Sequence, residues 1–197
     1  MAYLRRVLAL LLLGISVGLA ADSLMEATVE DFYSSDRAFR LRLDPRPAGL
    51  RITLAKRGVS PVYVSQWSTT AFRPPMFPTA GFVTTDGRFA AVVVGYLPRS
   101  ATHSAVGIFG PTGSLVRSYS LADLFSAQEL PRLARSVSGI PWVGSAVLIP
   151  NADTLRIVTR NPFPKPPPGT VLVPEPLVET LLFSLPTGSV SRIRNGA

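Results

Sequence analysis

His103 is the one histidine in a chain of 197 residues that contains no cysteine, and this scarcity decides most of the chemistry open to the protein. A serine or cysteine nucleophile needs a base beside it, usually histidine, to take its proton. His103 sits in Arg99-Ser100-Ala101-Thr102-His103-Ser104, a polar stretch between two apolar runs, where the adjacency of Ser104 in sequence says nothing about geometry. No Gly-x-Ser-x-Gly elbow accompanies it. Zinc takes three or four Cys, His or acidic ligands, which a chain with one His and no Cys does not supply for a structural site. Calcium wants carboxylates at alternating positions closed by a distal Glu. The densest acidic group, Glu26, Glu30, Asp31, Asp36 and Asp44, lacks that spacing and reads as solvated surface. No catalytic, cofactor-binding or metal-ligating set is therefore expected. The enzymatic alternative is a hydrolase in which His103 works with a carboxylate remote in the chain.

Cations are more suggestive. Between Arg37 and Arg57 stand Arg37, Arg40, Arg42, Arg46, Arg51, Lys56 and Arg57, against Asp36 and Asp44. Arg37, Arg40, Arg42, Arg51 and Arg57 form the candidate contact for a partner, either a protein or a cell-envelope polyanion such as lipopolysaccharide, an acidic polysaccharide or anionic lipid headgroups. The competing reading is an ordinary charged surface, because Arg40 and Arg42 fall on the polar side of an alternating strand. Trp67, Trp142, Phe72, Phe77 and Tyr96 either fill the core or line an apolar recess, and rings in a cysteine-free sheet protein favour the core.

The start of the chain bears on where such a partner is met. Met1-Ala2-Tyr3-Leu4-Arg5-Arg6 leads into an apolar stretch from Val7 to Ala21, with Gly18 and Ala20 as small residues before Asp22. Basic head, apolar middle and small-residue exit have the form of a secretory signal peptide, helical in its apolar part. The expectation is export by the Sec pathway, to the periplasm or beyond, with cleavage after Ala20 and residues 21–197 as one β-rich domain. Ala21 is the alternative cleavage point. If uncut, the leader is the only membrane contact, and the Arg5-Arg6 pair keeps its N-terminus cytoplasmic. Nucleic acid is not an expected partner outside the cytoplasm. Cleavage removes Arg5 and Arg6 but none of the 12 acidic residues, which lowers the net charge from +8 to about +6.

The elements that position these residues repeat. Phe32-Tyr33-Ser34-Ser35-Asp36-Arg37-Ala38-Phe39 aligns without a gap on Phe82-Val83-Thr84-Thr85-Asp86-Gly87-Arg88-Phe89, and a degraded copy is Leu148-Ile149-Pro150-Asn151-Ala152-Asp153-Thr154-Leu155. Each copy enters a strand. Phe39 to Leu43 and Leu155 to Ile157 alternate apolar and polar, whereas Phe89 to Val94 is a continuous apolar run of the kind found in strands buried on both faces. A second element, Gly110-Pro111-Thr112-Gly113-Ser114, recurs as Leu185-Pro186-Thr187-Gly188-Ser189, with a poorer equivalent at Lys56-Arg57-Gly58. Proline presets its φ and glycine accepts positive φ, so Pro-Thr-Gly between apolar runs is a hairpin turn. Three units follow, at about 30–67, 80–119 and 146–194.

These units resemble the YVTN and WD40-like blade repeats of exported bacterial β-propellers, in particular Thr85-Asp86-Gly87-Arg88-Phe89 with the later Pro111-Thr112-Gly113-Ser114-Leu115-Val116-Arg117. The resemblance implies a mainly β fold of three blade-like antiparallel units. Closed propellers use about four to eight blades. An open or partial propeller-like or sandwich sheet is therefore expected, whose edges could hold copies of the chain together weakly unless charge blunts them, a role open to Arg40, Arg42 and Arg51.

One helical insertion interrupts the strands. Ser120 with Asp123, and Ser126 with Glu129, have the spacing of capping boxes, so two short helices are predicted within Ser120 to Ala134. Phe72 to Pro78 and Asn161 to Gly169 are rich in proline and predicted as stiff loops. Taken together, the residues point to an exported protein that binds rather than catalyses, without a cofactor.

Overall fold

The structure is a computed structural model that describes residues 28–59, 62–75, 78–98, 100–133, 139–160 and 178–194. The leader, Phe77 and the proline-rich Asn161 to Gly169 lie outside the described residues.

Three four-stranded antiparallel sheets follow one another along the chain. Sheet I has the order β1 (Glu30–Tyr33), β2 (Phe39–Arg46), β3 (Gly49–Arg57), β4 (Tyr63–Thr69). Sheet II orders β5 (Ala80–Val83), β6 (Ala90–Val93), β8 (Ser104–Phe109) and β9 (Leu115–Ser120), with the short β7 (Tyr96–Leu97) leaving it to pair with β10 (Ile140–Pro141). Sheet III orders β11 (Val143–Ile149), β12 (Thr154–Thr159), β13 (Glu179–Ser184) and β14 (Val190–Arg194). Among the described residues none closes into a barrel. The sheets fall on the three units read from the sequence. In each, the Asp-type turn joins the first strand to the second and the Gly turn joins the third to the fourth.

Burial explains why the strands differ in pattern. One face of sheet I, with Phe39, Leu41, Leu43, Ile52 and Leu54 buried, meets sheet II, where Trp67 and Phe109 lie 6.1 Å apart. One face of sheet III, with Leu155, Ile157, Leu181 and Phe183 buried, meets the other side of sheet II, where Tyr119 stands edge-on to Phe183. Sheet II is thus covered on both faces. All four residues of β6 are buried, which is why that stretch carries no alternation, while β2 and β12 alternate because water reaches their other face. Each fully buried aliphatic side chain in this shared core contributes roughly 1.5–3 kcal/mol.

Close approach of the sheets depends on small residues. A Cβ at Gly81 would stand 2.7 Å from the Phe32 ring, and one at Gly107 would stand 2.7 Å from the ring of Phe72. Phe72 lies in the connection between β4 and β5, as expected, and its ring is core, a buried plug that meets Phe109 edge-on at 6.3 Å. Trp142 is fully buried and its indole N–H donates to the Val94 carbonyl at 2.7 Å, tying β10 to the end of β6. Trp67 is likewise core.

Two expectations need correction. Arg40, Arg42 and Arg51 do not blunt an edge, because β2 and β3 are the two inner strands of sheet I and the edges belong to β1 and β4. The helical insertion is also shorter than predicted. Its first capping box forms, with the Ser120 hydroxyl accepting from the Asp123 backbone N–H, but α1 spans only Leu121–Leu124. The second box yields a single 3₁₀ turn, Leu130–Arg132, because Pro131 has no N–H with which to continue an α-helical ladder.

Candidate functional site

The repeated turns spend their polar groups on themselves. The Ser34 hydroxyl donates to Asp36 Oδ1 at 2.6 Å and accepts the Phe39 backbone N–H at 3.0 Å, while the same carboxylate oxygen accepts the Ala38 N–H at 3.0 Å. In the second copy, Thr84 donates to Asp86 Oδ1 at 2.7 Å and accepts the Phe89 N–H at 3.1 Å, and Arg88 N–H donates to Asp86 at 3.0 Å. The Ser34 hydroxyl, then the Ala38 N–H, hold the Asp36 carboxyl below its usual range. Burial would raise Asp86, but the Thr84 hydroxyl and the Arg88 N–H and guanidinium outweigh it and leave it lowered. Both carboxylates stay ionised and engaged, which suits structure and not proton transfer. The third copy has Pro150 and Ala152 at these positions and keeps only the bend. In all three, the same aligned position takes positive φ: 56° at Arg37, 70° at Gly87 and 43° at Asp153.

Where the three turns meet lies a recess of about 220 Å³, lined by Tyr33 and Ser35 from the first, Phe82 to Thr85 with Gly81 from the second, and Leu148 to Asn151 with Asp153 from the third. Aligned positions contribute in parallel. Ser35, Thr85 and Asn151 occupy the fourth place of their copies, and Tyr33, Val83 and Ile149 the second. Arg88 bridges the second and third turns, bonded to Asp86 and 3.5 Å from Asp153.

A second recess, of about 250 Å³, opens beside it on the outer face of sheet I and is lined by Tyr33, Arg37, Arg57 and Tyr63. The hairpin between β3 and β4 is fastened to the first turn here, because Tyr63 OH donates to the Arg37 carbonyl at 2.9 Å and Arg57 N–H to the Ala38 carbonyl at 2.7 Å. The Tyr33 and Tyr63 rings lie 5.9 Å apart. Arg37 stands over Tyr33 at 5.8 Å and Arg40 over Tyr63 at 4.8 Å, cation–π contacts that aim both guanidiniums along this face.

The five arginines singled out from the sequence separate here. Arg37 and Arg57 share the recess and make no ion pair among the described residues. Arg40 adjoins through Tyr63, but its charge and that of Arg42 are partly met by Asp31, which accepts from Arg42 Nε at 2.9 Å and lies 3.6 Å from Arg40. Arg51 faces Asp44 across β2 and β3, away from the recess. His103 is exposed in the loop before β8. Among the described residues, no group of three His, Cys, Asp or Glu stands together as a metal site.

One ionic cluster was not anticipated. Arg192 on β14 donates to both oxygens of Glu129, at 3.1 and 3.0 Å, and through Nε to Glu179 at 2.7 Å, with its guanidinium over the Phe125 ring. The Arg192 bonds, helped by the Ser126 N–H, lower Glu129 to about 2. The cluster fastens the helical insertion to sheet III.

Compared with known proteins, the chain matches no family model and no curated sequence. Among solved structures it is similar to a chain of Kuenenia stuttgartiensis hydrazine synthase, with 14% identity and a TM-score of 0.40 over 83% of this chain. It spans 41% of that chain's length.

Sequence reasoning missed Tyr33 and Tyr63 as site residues. It also missed Ser35, Thr85 and Asn151, for which the available signal was the repeat itself, where a polar residue recurs at the fourth position of every copy.

Proposed function

We propose that the protein is an exported binding module without catalytic activity, its three sheets serving as blade-like units of an open, partial propeller. The partner is a cell-envelope polyanion that meets the outer face of sheet I. The observation that carries this reading is the recess of Tyr33, Arg37, Arg57 and Tyr63, in which two guanidiniums with no carboxylate partner among the described residues stand beside aromatic rings. A guanidinium offers a fixed fork of donors that matches carboxylate, sulfate or phosphate, and it keeps its charge at any physiological pH. The leader sequence supports placement outside the cytoplasm, and the absence of cysteine is consistent with a fold that needs no oxidant there.

Two measurements test it. Retention of the purified chain on an anionic matrix, weakened at least tenfold by Arg37→Gln with Arg57→Gln, supports the reading. Turnover on a panel of ester, peptide, phosphoester and glycoside substrates that disappears in His103→Ala replaces it with the enzymatic one.

A further inference from the structure

We infer that the two recesses sharing Tyr33 take one ligand, an acidic polysaccharide, with an anionic group between Arg37 and Arg57 and an adjoining neutral, hydroxyl-bearing ring in the recess of the three turns. This rests on the binding-module reading above and narrows its polyanion to a carbohydrate.

The two cavities differ in chemistry although Tyr33 is a wall of both. On the side of sheet I the lining is cationic and aromatic. On the other it presents hydroxyls of Ser35 and Thr85, the Asn151 amide and the Asp153 carboxylate, over Phe82, Leu148 and Ile149. That second lining both donates and accepts, as vicinal hydroxyls require. Asp153 is partly met by Arg88 at 3.5 Å and no cation lines this recess, so the charged group of a ligand belongs on the arginine side. Each volume lies below the roughly 300–1,000 Å³ of sites for drug-sized molecules, so each holds one ring-sized unit and no more. Adjacent units of a polymer, one charged and one neutral in its contacts, fit a cationic recess next to a hydroxyl-binding one. Tyr33, 46% exposed, is the amphipathic ring against which both units lie.

The test titrates the full chain with hyaluronate, whose charged and neutral rings alternate, and with polygalacturonate, with the methyl ester of each as its uncharged counterpart, and with inorganic polyphosphate and phosphatidylglycerol vesicles. At least one acidic polysaccharide is expected to bind tenfold or more tightly than its uncharged counterpart. Arg37→Gln with Arg57→Gln should remove at least tenfold of that affinity, and Arg57→Lys, which keeps charge but not the fork, should recover only part. Thr85→Val with Asn151→Leu should weaken the polysaccharide at least threefold and leave polyphosphate unchanged. Circular dichroism and unfolding midpoints of each variant separate lost binding from lost folding, and Ser35→Ala offers a milder probe of the neutral recess if the double variant fails to fold. Binding of polyphosphate or vesicles but of no polysaccharide overturns the inference and spares the polyanion module. Binding of no anion at all overturns both.

Discussion

The phenol of Tyr119, on the last strand of sheet II, donates to the backbone carbonyl of Gly188 in the final turn of sheet III, and its ring meets Phe183 edge-on with centroids 5.5 Å apart. One side chain thus combines a hydrogen bond and an aromatic contact across the junction of two sheets. Tyr119→Phe keeps the ring contact but leaves the carbonyl without its buried donor. A loss of about 1–2 kcal/mol in urea unfolding is expected. Tyr119→Ala should cost about 3–5 kcal/mol, because the ring's volume is lost as well.

Arg37 holds a left-handed conformation that its aligned partner Gly87 adopts without strain. Arg37→Gly is therefore expected to raise stability by about 0.5–1 kcal/mol, while lowering anion affinity. Chemical denaturation and binding measured on the same variant should move in opposite directions. If both fall, Arg37 supports the turn rather than the recess.

Acid should weaken the fold through Glu129. Its carboxyl is lowered from 4.5 to about 2 by the Arg192 guanidinium, so the folded state binds fewer protons than the unfolded chain between those values. The stabilisation is complete above pH 4.5 and is lost as pH falls through the window toward 2. Asp36 and Asp86, lowered by their own turns, act in the same direction. Glu129→Gln should cost about 1–3 kcal/mol at pH 7 and flatten the acid limb of a plot of unfolding midpoint against pH.

Gly107 allows Phe72 to lie against the sheet. Gly107→Val should destabilise by about 1–3 kcal/mol or prevent folding, since the surrounding core has no space for the added carbons. Combining it with Phe72→Ala should recover part of the loss, and a double-mutant cycle of unfolding energies would measure the coupling.

Thr84→Val removes the hydroxyl that joins Asp86 to the Phe89 backbone without changing the shape of the side chain. A loss of about 1–3 kcal/mol is expected. Ser34→Ala should behave alike in sheet I, while Pro150→Ala in the degraded third turn, which holds no such network, should be close to neutral by thermal unfolding.

Local pattern in the chain determined three strand units, their Asp-type and Gly-type turns, the first helix cap and the contrast between the alternating Phe39 to Leu43 and the uniformly apolar Phe89 to Val94. These depend on neighbours within a few residues, through side-chain hydrogen bonds to the turn backbone and the period-two geometry of a strand. Tertiary structure decided which faces meet, and with them the site. The Phe72 ring is seated over Gly107, which no local pattern shows, and Arg192 joined Glu129 across 63 positions. Arg37 and Arg57 were separated from Arg42 and Arg51 by strand pairing, which places Arg42 opposite Asp31 and Arg51 opposite Asp44, farther along the same sheet and away from the recess. The recess of the three turns needed all three sheets. Ser35, Thr85 and Asn151 lie 50 and 66 residues apart in sequence, and only the stacking of one sheet on the next brings them around a common space.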